Sequence, residues 1–588
     1  MASGISFRGA TIAALFEGLA IAKYFPHLLS SGSTDKSASS LIESCSIALA
    51  LNYVLLLFYS KFLYRVFLSP LRNIPRPKVC TNLHSSFNLA NYAHHSINKW
   101  YLGRLIYTRF VRQEHQGQLL LEVARDTPND GLLLLREGVQ DRLLAVSIPV
   151  AAELLVRKSY DFKKPQNVRN FMRHFLGDGL IIVEGERHQW LRKNSQKAFN
   201  YRHIKDMYPM MWTKALTLQK AMEEEIRQKN GVASSDFTSA APVKFEMCSW
   251  ALKITFDVIG IAGLGRDFNL LKNADDQLAH DYEMVTGNHM LLYFVMSMWV
   301  SFRLVQMLPW DKNLLFKEKT RSLKQTCKDL IQQKRDEILN KGDDHFDILS
   351  LLIKSGDFSD EDLGDQLLTY LVAGLKLTWT FPISHDTASA TLAWSCYLLA
   401  QNPIWQEKLR REVQQTRLPD AMSLAGDALA STLEGLPILN GVLNETLRLY
   451  PTVPVTTRVA ACDTTLGGQC IPKDTEILLS PWLINRSPEH WGADADAFKP
   501  NRWIEDGRPN NSGGAESNYE FMTFLHGPRS CIGQNFAKAE LRCLLAAMIT
   551  KFEWTLGMKE SDVIPTGAIT IRPHNGLHLN MKIVDRKE

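Results

Sequence analysis

A chain of 588 residues is long enough for several average domains, or for one large domain with an anchor. Its 45% hydrophobic and 22% charged residues exclude a disordered or fibrous protein. Lys and Arg number 67 against 62 Asp and Glu, and the resulting +5, spread over this length, carries no nucleic-acid signature, so no nucleic-acid partner is expected. The 9 cysteines form no CxxC pair and sit mostly in apolar runs, which argues for free thiols in a reducing compartment.

Ser46–Tyr64, SIALALNYVLLLFYSKFLY, is nearly long enough to cross a bilayer, with Asn52 and Lys61 its only strongly polar members. Lys61, Arg65, Arg72, Arg76 and Lys78 crowd its C-terminal side, whereas Asp35, Lys36 and Glu43 precede it. The positive-inside rule then predicts a membrane-anchor region over residues 1–69, with everything after residue 70 in the cytosol. A cleaved signal peptide fits poorly, because the run starts too far into the chain. Ala10–Ala22 is a shorter apolar stretch interrupted by Glu17, either a second span or an interfacial helix. Pro70, Pro75 and Pro77 predict a stiff hinge ahead of a single large body, residues 70–588.

The body reads as mainly α with smaller β-sheets, an α+β class. Leu132–Leu135 and Leu143–Ile148 look like short strands, and Pro149 suits the first position of a helix. Amphipathic helical patterns run over Phe316–Leu339, Glu361–Leu371, Trp405–Gln414 and Ala537–Phe552, and Ile569–Val584 alternates like strand. Met290–Leu308 is apolar but broken by Ser297, Ser301 and Arg303, which suits a surface dipping into the membrane better than a second span. Glu505–Asn518 reads as a polar surface insertion.

The decisive segment is Phe524–Gly533, FLHGPRSCIG, followed by QNFAKAELRCLLAAMI. Cys531 precedes a helix, with Gly527 and Gly533 on either side, and glycines permit φ > 0 and close approach of backbone to a flat ligand. A helix N-terminus and nearby N–H groups stabilise a thiolate. A thiolate so placed can ligate haem iron, and Arg529 can pair with a haem propionate. A lone cysteine before a helix is usually structural; Phe, Gly, Arg, Cys and Gly at these spacings are far more specific.

FLHGPRSCIG resembles the haem-thiolate signature of the cytochromes P-450, of fungal microsomal type, and the family's other motifs follow in order from about residue 70 onward. In LNETLRLYP, Glu445 and Arg448 stand at i,i+3 on one helical face. In FKPNRW, Arg502 matches the third member of a Glu–Arg–Arg cluster, and Phe524 opens the signature. EGERHQWLRKNSQKAF resembles the segment that grips the haem edge with a Trp and an Arg four residues later; here the positions hold His188 and Arg192, and Trp190 is not the equivalent. A histidine can still donate to a propionate. Arg458 resembles another propionate contact. Val453–Thr457, Thr566–Ile569 and part of Gln166–Leu180 would line the substrate side.

The oxygen-activation motif of the family is interrupted. Ala373-Gly374 and His385-Asp386-Thr387 are separated by LKLTWTFPIS, and removing Leu375–Ser384 would restore AGHDTASATLAW. Ten extra residues rotate a helix by about 1000°, roughly 80° short of whole turns. Pro382 also breaks a helical hydrogen bond, so a straight helix is not expected here. The segment bulges out, disables the enzyme, or reflects a mis-assigned splice boundary; the clean rejoining of the flanks favours the last.

The resemblance implies haem b with its iron on Cys531, Asp386 relaying protons, and Thr387 hydrogen-bonding dioxygen. The reaction implied is insertion of one oxygen atom from O2 into an apolar small molecule. Nothing after Cys531 is long enough for a flavin domain, so electrons are expected from a separate membrane-bound, NADPH-dependent flavin reductase. Arg187, Arg192, Lys193, Lys197, Lys538 and Arg542 form a candidate docking face for it. The implied place is the endoplasmic reticulum membrane, with the catalytic domain facing the cytosol. The implied role is in fungal secondary metabolism, on polyketide, terpenoid, alkaloid or fatty-acyl intermediates. The alternatives are a haem-thiolate isomerase or dehydratase needing no reductase, and a form silenced by residues 375–384.

Overall fold

The computed structural model describes residues 38–77, 114–137, 140–231, 241–272, 302–341, 347–374, 387–416, 426–567 and 569–584, with Glu17, Arg112, Asp281, Met284, Met296 and Leu418 as single positions between them. The apolar run of residues 46–64 lies in α1 (Ala38–Phe58) and its continuation, a wider π-wound segment Tyr59–Leu68. Ile47, Leu51, Val54, Leu55 and Phe58 keep their apolar surface exposed there. Of Ala10–Ala22 only Glu17 is described; it is helical and its carboxylate accepts from the Asn52 amide. The rest of that stretch, and most of Met290–Leu308 before the helical turn Phe302–Met307, lie outside the described residues.

The proline hinge is docked rather than free. Ser69 caps a short turn, Pro70–Asn73, by accepting from the Leu71 N–H. Leu71 and Ile74 are buried, and the Leu134 N–H donates to the Pro75 carbonyl at 2.8 Å. Burying two aliphatic side chains is worth a few kcal/mol by the ordinary area scale, about 1.5–3 kcal/mol each. The chain therefore leaves α1 already attached to the body.

The strands of the two larger sheets, in chain order, are β1 (Leu132–Glu137), β2 (Gln140–Ala145), β3 (Phe162–Lys163), β4 (Val243–Glu246), β5 (Thr456–Ala460), β6 (Glu476–Leu479), β7 (Phe552–Leu556) and β8 (His578–Ile583). β1 and β2 form an antiparallel hairpin, so β2 begins earlier than its hydrophobic run implied. The larger sheet has the order β1-β2-β6-β5-β3, parallel only between β2 and β6. A second sheet runs β7-β8-β4. In β8 burial alternates along the strand, as its sequence pattern predicts. The larger sheet matters for function because it sets Phe162–Lys163 directly against Val459–Ala460, segments far apart in sequence.

The helices of the body used below are α2 (Gln166–Leu176), α3 (Gly185–Ser195), α4 (Tyr201–Asn230), α5 (Met247–Ile259), α6 (Asp311–Lys341), α7 (Asp360–Gly374), α8 (Thr387–Gln401), α9 (Pro403–Gln415), α10 (Pro437–Leu449) and α11 (Gln534–Lys551). The four periodic stretches fall in α6, α7, α9 and α11. α8 is apolar all round and buried from Ala388 to Leu399, as a helix without a polar face must be. Its Trp394 stacks on Tyr450 at 4.1 Å, and the Trp554 indole N–H donates to the Cys396 carbonyl at 2.9 Å. Met247–Leu264 is long and apolar enough to cross a membrane, but 67% of it is buried among other helices. α7 ends at Gly374 and α8 starts at Thr387; Leu375–Ser384 and Asp386 lie outside the described residues.

Glu505–Asn518 is more than a surface insertion. The Asn510 N–H donates to the Trp503 carbonyl at 2.7 Å, and Gly513, at φ 65°, lies flat on the Trp503 ring, where a Cβ would sit 2.9 Å from it. The loop covers a small cluster of Trp491, Ala495 and Trp503.

Candidate active site

The Cys531 loop is built from backbone constraints. Leu525 has φ 55° and Gly527 φ 75°, followed by a single 3₁₀ turn, Gly527–Arg529. The Cys531 N–H then donates back to the Phe524 carbonyl at 2.9 Å and closes the loop. A side chain at Gly527 is excluded, since its Cβ would lie 2.4 Å from the Leu155 carbonyl oxygen. Gly533 behaves differently from the sequence expectation: its φ is −90°, and it simply precedes α11. A Cβ there would meet nothing within 4 Å, so the backbone beside Cys531 is open to a flat group. The Cys531 residue keeps exposed surface although protein surrounds it. Burial pushes its thiol up, while the Gly533 N–H and the Arg192 charge pull it down. Phe524 is half-buried, with the Lys538 ammonium 5.9 Å from its ring centre.

Beside this loop is a dense cationic cluster. Arg529 is 3% exposed, pairs through one nitrogen with Glu184, and leaves Nε and the other terminal nitrogen without a hydrogen-bond partner. Arg458, on β5, donates to the Thr456 hydroxyl and the Thr457 carbonyl, both at 2.9 Å. Burial, then the nearby Arg529 charge, pushes it down to about 10. Lys164 follows β3; its ammonium donates to the Ile181 carbonyl at 2.7 Å and its backbone N–H to Glu184 at 2.9 Å. Burial pushes Lys164 down to about 7, against the pull of Glu184 and helped by Arg458, Arg529 and Arg169. His188, on α3, is 3% exposed and held down to about 4 by burial, Arg529 and Lys164, so it is neutral at pH 7. Burial opposes ionisation of Glu184, yet the Arg529 hydrogen bond and the Lys164 charge hold it below its ordinary range. The structure thus gathers His188, Arg458 and Arg529. Arg192 turns instead to the cysteine loop, donating to the Ser530 carbonyl at 2.6 Å and its hydroxyl at 3.2 Å.

This donor set fits a group with two carboxylates. Three basic side chains, Lys164, Arg458 and Arg529, surround one carboxylate, Glu184, and two buried guanidinium nitrogens of Arg529 have no acceptor. A buried unpaired cation is costly unless a counter-ion joins it. A planar group with a carboxylate edge, held by the Cys531 sulfur beside the open backbone at Gly533, would meet both requirements. Sequence reading missed Lys164, Glu184 and Tyr160. Lys164 carries no motif and comes here because β3 pairs with β5, while Glu184 opens the EGERHQW segment but was not singled out in it.

The second charged cluster is nearly closed: among its guanidinium nitrogens only Arg502 Nε lacks a hydrogen bond. The Arg448 guanidinium donates twice to Glu445 at 2.8 Å, and to the carbonyls of Asn485, Ala495 and Ala497. Both Arg448 and Glu445 are 0% exposed. Glu445 also accepts from the Lys499 N–H at 2.9 Å and the Trp503 indole at 3.0 Å. Arg502 Nε lies 3.4 Å from Glu445, and its terminal nitrogens bond Asp494 and the Trp491 carbonyl. Thr387 opens α8, half-buried, its carbonyl accepting from the Thr391 hydroxyl at 2.7 Å; Asp386 lies outside the described residues.

The six basic residues do not form one free face. Arg187 pairs with Asp362, Lys197 with Asp357 at 2.7 Å, and Arg542 turns inward to Asn440 at 2.7 Å and Tyr208 at 3.1 Å. Burial, then Arg542, pushes Lys538 down to about 8. Lys193 and Lys197 do line an open cleft with Gln189, Arg192 and Ser530 outside the cysteine loop.

The model of the family "Cytochrome P450" matches residues 98–579. Cytochrome P450 monooxygenase sphH of Aspergillus fumigatus is 36% identical over 527 residues, 89% of this chain and 90% of that protein. Cytochrome P450 monooxygenase ptmK of Penicillium ochrochloron is 33% identical over 533 residues, 89% and 96% of the two chains. Cytochrome P450 monooxygenase FSL4 of Gibberella zeae is 31% identical over 525 residues, 87% of each. With the signature loop, the ordered motifs and this coverage in agreement, the chain belongs to the cytochrome P450 monooxygenase family, oxidoreductases that carry haem on a cysteine thiolate.

Proposed function

We propose that the protein is a membrane-anchored haem-thiolate monooxygenase that hydroxylates or epoxidises an apolar organic molecule, in which the Cys531 sulfur would hold the haem iron. The observation that carries this reading is the pairing of an open backbone beside Cys531 with a cationic cluster whose Arg529 N–H groups have no acceptor. Haem, when bound, supplies the activation of dioxygen. The chain supplies the rest. Cys531 would give the thiolate; burial raises its thiol overall, and the Gly533 N–H and the Arg192 charge act against that rise. Arg458, Arg529, Lys164 and the neutral His188 hold the carboxylate edge, and Arg192 fixes the cysteine loop through Ser530. Asp386 and Thr387 would hold and pass a proton, and Val453–Thr457 and Thr566–Ile569 would line the substrate space.

The exposed apolar row of α1 and the exposed Leu304, Met307 and Leu308 support contact with lipid. The basic residues after α1 favour a body facing the cytosol from the endoplasmic reticulum membrane. Electrons come from a separate NADPH-dependent flavin reductase, docking near Lys193. The fungal relatives support a place in secondary metabolism.

The test is the carbon monoxide difference spectrum of reduced membranes carrying the full chain. The expected result is a strongly red-shifted Soret band that disappears in Cys531→Ser. A wild-type band that stays blue-shifted removes the thiolate assignment for the chain as written. If deleting Leu375–Ser384 then restores the red-shifted band, those ten residues are what silences it.

A further inference from the structure

His188 is an unusual donor for a cationic cluster. A histidine presents an N–H at a chosen nitrogen only if something fixes where its single proton sits. Here the ring is 3% exposed, surrounded by Arg529, Lys164 and Arg192, and it is neutral. One of its nitrogens has a partner: Nδ1 lies 3.2 Å from the Tyr160 hydroxyl. The Gln189 side chain acts on the Tyr160 oxygen as a donor, which favours a phenol proton directed at Nδ1, and a proton given to Nδ1 leaves the ring proton on Nε2. Tyr160 is itself held in place by the Arg529 guanidinium 5.1 Å from its ring centre. No described residue bonds Nε2, and the cluster around it is short of acceptors.

We propose that Tyr160 is a positioning residue: by donating to Nδ1 it holds His188 as the Nε2–H tautomer, which presents an N–H donor to a carboxylate of the haem. The proposal rests on the haem-thiolate reading above. It explains how histidine serves at a position where the resemblance implies tryptophan, whose indole is a donor in every state. The cost of the exchange is a second residue that keeps the ring in one tautomer.

The test is a double-mutant cycle on the full-length holoprotein, read as the rate of haem transfer to excess apomyoglobin and as the propionate bending bands in resonance Raman spectra. Tyr160→Phe removes the hydroxyl but keeps the ring under Arg529. Haem loss should accelerate about five-fold, the worth of one ordinary hydrogen bond, and the bending band should shift. In a His188→Trp background the same change should alter the rate less than about two-fold, because an indole has no tautomer to fix. If His188→Trp loads no haem, His188→Gln, an amide donor, serves as the second background with the same expectation. Equal acceleration in both backgrounds would show that Tyr160 acts through ring packing alone, and no acceleration with His188 present would show that the Nδ1 bond sets nothing. Either overturns the proposal. Failure of the haem-thiolate reading is recognised beforehand, as a holoprotein without the red-shifted carbon monoxide band, and the proposal falls with it.

Discussion

Two charged clusters sit in this molecule, and they differ in whether their charges are balanced. Around Glu445, all the N–H groups of Arg448 are used and every partner is protein. Around Glu184, cations outnumber the carboxylate and Arg529 keeps two buried N–H groups unused. Charge-assisted hydrogen bonds are roughly twice as strong as neutral ones, so leaving them unmade is a large omission for a folded protein. A cluster that closes on itself holds the fold. One that stays open electrically is made for a guest.

The contrast is broken or sharpened by substitution. The largest effect is expected for Arg448→Ala, which strands the fully buried Glu445 carboxylate and costs about 3–5 kcal/mol. No folded haem protein should be recovered, by expression yield and thermal unfolding; a stable, haem-loaded variant would show the closed cluster to be dispensable. Next is Arg529→Met, where the fold should persist and haem affinity should drop about 10- to 100-fold, the worth of a charged hydrogen bond at about 1.5–3 kcal/mol. Haem titration of the purified variant checks this, and failure to fold would place Arg529 with the structural group.

Glu184→Gln is expected to act more gently. It removes the cluster's one negative charge, so the iron midpoint potential should rise while haem stays bound; spectroelectrochemistry reads it, and an unchanged potential would mean that Glu184 is too well screened to matter. The smallest effect is a pH dependence. His188 in the folded protein is held down to about 4, below its ordinary value near 6.5. Between those values the unfolded chain binds more protons, so stability falls as pH drops through that window. His188→Trp should lose this part of the slope in thermal unfolding followed from pH 7 to pH 4.

Much of this was legible in the residues themselves. Helical periodicity located α6, α7, α9 and α11 because each buries one face locally, and FLHGPRSCIG identified the cysteine loop because its constraints are contiguous. The closed cluster was legible as well, since Glu445 and Arg448 are one helical turn apart. What escaped was non-local. Arg529 meets Glu184 across 345 positions of the chain, and Lys164 meets Arg458 only after β3 pairs with β5. The basic face was overcounted for the same reason, because Asp357, Asp362 and Glu434 arrive from distant segments to neutralise it. The interrupted motif shows a different boundary: helical phase made residues 375–384 conspicuous, and the described parts of the two helices lie on either side of them.

Leu525 carries one more consequence. A branched-chain residue at φ 55° is held in a region that costs roughly 1–3 kcal/mol, and such a conformation persists only where the surroundings over-determine it. Those surroundings include the Leu155 carbonyl against Gly527 and the return bond from Cys531 to Phe524. The ten letters that identify the loop are therefore not a transplantable part. Cut out as a peptide or grafted onto another helix, they would relax, and the sulfur would point elsewhere; the aim of the cysteine belongs to the whole body.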